Sequence, residues 1–287
     1  MNHRIFLLII FFVVFFPGIG AGTNNGDFVQ YFGTGFINWG SGVIQAKGVS
    51  GACIPPCEGS AANTEDEARR KAADNIFKTL ECVKIDNRLV AGDLLLEDGD
   101  FANRVQDMIT VADAVGRQTI DGGRTEITLQ MSIHGGFAQF VLPEDIKPLK
   151  TVRPITAPVE TEKNNGDAQH ENQADVYTGL VIDARGLGVI PAMSPTVFDE
   201  DGEEVFGPAF ISREYAVQHG VCCYLTDVDS ALANERVDAK PLLVKAVRLH
   251  GAGTTDLVIS NADAARLRSA SDHLGFLRQC RVIIVAE

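Results

Sequence analysis

The sequence predicts an α+β protein: two helix-on-sheet domains joined by a flexible polar linker, after a secretory signal peptide. Three observations carry this. Apolar residues recur at helical spacing over 64–80 and alternate with polar ones over 124–134, which a helix and a half-buried strand require. Between Phe140 and Tyr177 there is no aromatic residue, while four prolines (Pro143, Pro148, Pro154, Pro158) and the Asn164-Asn165-Gly166 cluster interrupt the chain. Such a stretch buries too little apolar surface to offset its ordering entropy, and it divides the chain into 26–142, a linker over 143–175, and 176–287. Finally, the N-terminus reads as a signal over 1–22.

That signal is built from His3 and Arg4, the apolar run Ile5 to Phe16, and then Pro17 and small residues to Gly22. A run of about 12 apolar residues falls short of the roughly 20 needed to span a bilayer and fits a secretory core followed by cleavage near Ala21 or Gly22. Processing would leave no integral membrane span. The expected address is the periplasm, peripheral to the outer membrane. A formal net charge of −13 argues against nucleic acid and anionic membrane surfaces, both of which call for a basic face.

An exported chain is permitted disulfides, and there are six cysteines. Cys53 and Cys57 flank a proline turn and form one candidate pair; Cys222 and Cys223 are adjacent, so Cys280 is the expected partner of one of them, taken as Cys223. His219 with Cys222 and Cys223 lacks a second ligand pair at zinc spacing, and the chain carries no recognisable metal, cofactor or catalytic constellation.

In the first domain, Gly35 to Val49 reads as a strand pair bent at Gly40-Ser41-Gly42. Trp39, the only tryptophan, is a candidate carbohydrate platform or a sheet anchor. Thr64-Glu65-Asp66-Glu67 resembles a capping box opening a helix whose stripe is Ala68, Ala72, Ile76 and Leu80, with three acid–base pairs at i,i+4 on the wet face. A second helical stretch spans 93–108 with a break near Gly99. A hairpin follows, turning at Asp121-Gly122-Gly123; on its return Ile127, Leu129, Met131 and Ile133 face the core.

The run GFINWGSGVIQAKGV, a charged alanine-rich helix and a hairpin ending in TEITLQMSIHGG together resemble the bacterial envelope family typified by a twenty-kilodalton surface lipoprotein (LPP-twenty type). They are more distantly similar to the N-terminal module of flagellar assembly T-type proteins. The resemblance implies a non-enzymatic envelope or assembly module whose partners are envelope proteins or further copies of the chain. Unlike the lipoproteins, this chain has no cysteine near its cleavage point to carry a lipid.

In the second domain Leu180 to Ile182 is a core strand, 197–206 a hairpin with the acidic tip Asp199 to Gly202, and Ser212 a cap for a short helix. Strands over 242–249 and 256–259, a helix capped at Ser260 or Asn261, and a final strand over 280–285 imply a mixed sheet. Asp183 and Arg185, with Trp39, are the candidate binding surface. Arg185 stands where a zinc amidase would place histidine and cannot ligate zinc. The leading expectation is a binding or assembly protein of the envelope, with flagellar or outer-membrane association. Its alternatives are a wall hydrolase that brings Asp183 to His219 or His250, and a protein that closes its two domains on a small ligand.

Overall fold

The computed structural model describes residues 26–52, 60–143 and 176–287. The signal segment, Cys53, Cys57 and the linker beyond Pro143 lie outside the described residues.

The first domain is a five-stranded sheet covered by helices. Val29–Phe32 (β1), Gly35–Asn38 (β2) and Val43–Val49 (β3) form a meander. Its second turn is set by Asn38, whose Oδ1 accepts from the Gly40 and Ser41 N–H groups at 2.9 and 3.1 Å. Ser60–Glu81 (α1), Ala91–Glu97 (α2) and Gly99–Thr110 (α3) follow, then Asp113–Ile120 (β4), Arg124–Ser132 (β5) and Gly136–Val141 (α4). The sheet order is β1-β2-β3-β5-β4. Neighbouring strands all run antiparallel.

Helix α1 begins a turn before Thr64, so the capping-box expectation fails in a specific way. Glu67 accepts from the Gly51 N–H at 3.0 Å and pairs with Lys71 at 2.7 Å, while Glu65 reaches Arg117 at 2.9 Å. Of the three i,i+4 pairs, only Glu67–Lys71 forms among the described side chains. The apolar stripe is as expected: Ala68, Ala72, Ile76 and Leu80 are buried against β3 and β5. The helix comes this close because Gly48 has no side chain; a Cβ there would collide with the α1 backbone at Ala68 and Ala72. The break near Gly99 is a true junction, where the Asp98 carboxylate caps α3 through the Asp100 and Phe101 N–H groups.

The second domain opens with Gly179–Asp183 (β6), Val197–Phe198 (β7), Glu204–Phe206 (β8) and Arg213–His219 (α5). Cys223–Leu225 (β9), Val228–Leu232 (α6), Pro241–Leu249 (β10) and Leu257–Ile259 (β11) follow. Asn261–Arg268 (α7), Ser271–Arg278 (α8) and Val282–Val285 (β12) complete it. The mixed sheet runs β8-β7-β11-β10-β6-β12-β9, and the central strands β10, β6, β12 and β9 are parallel. Buried on both faces, β6 and β12 are nearly all Val, Ile and Leu, as parallel strands in the middle of a sheet must be.

One apolar core runs through both domains, joining Ile37, Trp39 and Ile133 to Leu180, Tyr224 and Ile284. Backbone bonds stitch the same junction: Gly26 to Phe28 lies along β9, with the Phe28 N–H on Tyr224 O at 3.1 Å and the Thr226 N–H on Gly26 O at 2.7 Å. Lys84 and Ile85 carbonyls receive the Met193 and Ser194 N–H groups at 2.9 and 2.7 Å.

Candidate functional site

A deep concavity lies on the first domain, under the β1–β2 hairpin. Strand β2 ends opposite Ala46, but β3 continues to Val49. The hairpin tip at Gly33 and Thr34 therefore overhangs a cleft of about 620 Å³ between the open sheet face and α1. Tyr31 and Phe36 pair directly across the two strands, with ring centroids 5.7 Å apart, and Tyr31 is 75% exposed. Lys47 and Glu126 form one wall at 3.1 Å; Lys71, Asp74, Asn75 and Lys78 of α1 form the other. Asn75 Nδ2 donates to Lys47 O at 2.7 Å and holds that wall to the strand edge. A volume of this size is in the range that accepts a small molecule or a few residues of peptide.

The residues singled out in the sequence lie elsewhere and apart. Trp39 is only 4% exposed; its Nε1 donates to Gln30 at 3.0 Å and its ring meets Tyr224 edge-on, at the domain junction. It is a core anchor and offers no surface platform, because its ring is buried in the shared core. Asp183 and Arg185 sit at the carboxyl end of β6, where both Asp183 oxygens take Arg185 hydrogens at 2.8 Å. That guanidinium holds the Asp183 carboxyl below its usual range, against the opposing effect of burial. Glu287 closes the turn by accepting from the Gly186 N–H at 2.7 Å. The pair is a brace of this corner.

The expected Cys223–Cys280 disulfide is not made; both are buried free thiols. Side chains alternate along β9, so Cys223 packs with Val181 and Ile283 on one face of the sheet while Cys222 and Cys280 lie in the core on the other. Burial pushes the Cys222 and Cys280 thiols up to about 12. Among the described residues no group of three His, Cys, Asp or Glu side chains could hold a metal ion.

His219 lies at the end of α5, ahead of β9, and so at the opposite end of the parallel strands from Asp183. His250 stacks on Phe198 at 3.9 Å beyond the end of β10. Asp183, His219 and His250 are not brought together. The acidic tip is likewise internal: Asp199 accepts from the Asp201 and Glu203 N–H groups and pairs with Arg268 at 2.8 Å. Ser212 occupies the cap position of α5 without making the side-chain bond.

Sequence reasoning missed two polar centres. Asp256, 3% exposed, accepts from Asn87 Nδ2 at 2.5 Å and from the Thr196 N–H at 2.9 Å, and so ties the two domains. Burial raises its carboxyl, and burial together with Asp256 raises that of Glu204. His134 is the other. Its ring lies between Gly42 and Gly220, where burial, then Arg236 and His219, depress it to about 4. The space left beside it at the junction, about 10 Å³, holds at most one water. Neither centre has a sequence signature, since the partners are far apart in the chain.

A family model described as Treponema pallidum Tp0624, second domain, matches residues 179–287. No curated protein matches the chain. The match runs from the first residue of β6 to the chain's last residue, and thus covers the seven-stranded domain and leaves the cleft outside it.

Proposed function

We propose that this chain is an exported cell-envelope protein that works by binding, and that the cleft under the β1–β2 hairpin is the surface its partner meets. One observation carries the reading: here exposed aromatic and charged side chains together line a concavity of about 620 Å³. The resemblance of the first domain to envelope and flagellar assembly modules and the apolar N-terminal run support the location. The hydrolase alternative needed Asp183 beside His219 or His250, and these stand apart. Closure of the domains on a ligand needed a gap between them, and the junction is filled by Trp39, Tyr224 and His134.

The test is a photo-crosslinking amino acid at Tyr31 in the full-length chain expressed in its host, followed by fractionation of the envelope. The expected result is an adduct that sediments in a large assembly with outer-membrane or flagellar components and disappears when the crosslinker is moved to the exposed Val111. A soluble, adduct-free monomer sinks the reading.

A further inference from the structure

Resting on that binding reading, we infer that the cleft takes a short extended peptide segment of a partner protein, acidic at alternate positions, added as a strand to the open edge of β3. The backbone supplies the first argument. The Ser50 N–H bonds Thr125 O on the β5 side at 2.9 Å, whereas the Lys47 N–H bonds Thr34 O on the β2 side at 3.1 Å and Lys47 O takes Asn75. Backbone groups alternate sides along a strand, so the Val49 N–H and C=O point away from β5 into the cleft. Strand β2 has already ended, and among the described residues neither group has a partner. An unpaired donor and acceptor side by side are what strand addition uses for affinity.

The side chains supply the second argument. Acidic residues outnumber basic ones 38 to 25 in the chain, yet the cleft carries Lys47, Lys71 and Lys78 against Asp74 and Glu126. Lys47 and Lys71 are held by Glu126 and Glu67; Lys78 and Asp74 make no ion pair among the described residues. A strand added here turns alternate side chains to its two faces. One row meets Lys71 and Lys78 on α1, where carboxylates fit. The other meets Tyr31 and Phe36, where apolar or aromatic residues fit. Specificity then comes from the alternation and affinity from the backbone.

The experiment uses the full chain with a short acetylated and amidated peptide alternating glutamate with valine, and the same peptide with glutamine for glutamate. Binding is followed by nuclear magnetic resonance and by hydrogen exchange at the Val49 amide. The glutamate peptide is expected to slow Val49 exchange, to bind more weakly as salt is raised, and to lose at least about tenfold in affinity with Lys71→Glu and Lys78→Glu combined. Both lysines are on the wet side of α1, so the variant's melting temperature serves as its folding control. Three results overturn the proposal: equal binding of the glutamine peptide, no change at Val49 with either peptide, or a Val49 amide already protected in the free protein. If Tyr31 crosslinks in cells but to a glycan or lipid, the peptide assignment falls and the binding reading stands. If Tyr31 crosslinks to nothing, the binding reading itself falls.

Discussion

His134 is held neutral by its place in the junction. The folded protein depresses its pKa from 6.5 to about 4, so its contribution to stability is fully present above the unfolded value and is lost as pH falls from 6.5 toward 4. The difference is worth about 3 kcal/mol at most. In His134→Gln the urea midpoint should fall less between pH 7 and pH 4 than in the parent. Parallel curves for the two proteins would remove His134 from the account. The comparison with the parent matters because Asp256 and Glu204 work the other way: their raised carboxyls are stabilised by acid. At this scale the sequence was least legible. Arg185 beside Asp183 could be read from adjacency, but His134 is trapped by Gly220, in the other domain, and Trp39 finds Tyr224 the same way. Such contacts depend on how two distant surfaces meet, which no local pattern encodes.

Local pattern does encode elements. The stripe of α1, the break near Gly99 and the alternation in β5 follow from hydrophobic period and a helix-weakening glycine, and each is found where the residues put it. The misses have physical reasons. β1 and β2 are four residues each, too short for a firm alternation, so the two-residue link at Gly33, with φ 55°, is the one local mark of the hairpin that roofs the cleft. β9 is three residues long and owes its conformation to β12 on one side and Asp27 on the other. The closeness of α1 to β3 was also invisible, and it yields a sharp expectation. Gly48→Ala drives a methyl group into helix backbone that cannot rotate away, so it should destabilise the protein by at least about 1–3 kcal/mol. A melting temperature within a degree of the parent would show that α1 gives way. The same substitution at Gly99, where nothing lies within reach of a Cβ, is the control.

At the level of the molecule, the two sheets were legible as two hydrophobic regions separated by a polar stretch, but their union was not. The shared core and the Asn87–Asp256 bond predict a single heat-absorption peak in calorimetry, with equal calorimetric and van't Hoff enthalpies. Two resolved peaks would mean that the domains unfold independently. The union also changes what Gly26 to Phe28 does. Together with Trp39 O, which takes the Tyr224 N–H at 3.3 Å, these three residues close the outer side of β9, the last strand of a seven-stranded sheet. A chain trimmed past Phe28 would leave the Tyr224 carbonyl and the Thr226 N–H without their partners, next to the apolar ring of Tyr224. Its colloidal behaviour would then be that of a sticky sheet, joining edge to edge with its neighbours as concentration rises. A three-residue strip in the first domain thus guards the edge of the second domain's sheet against its neighbours.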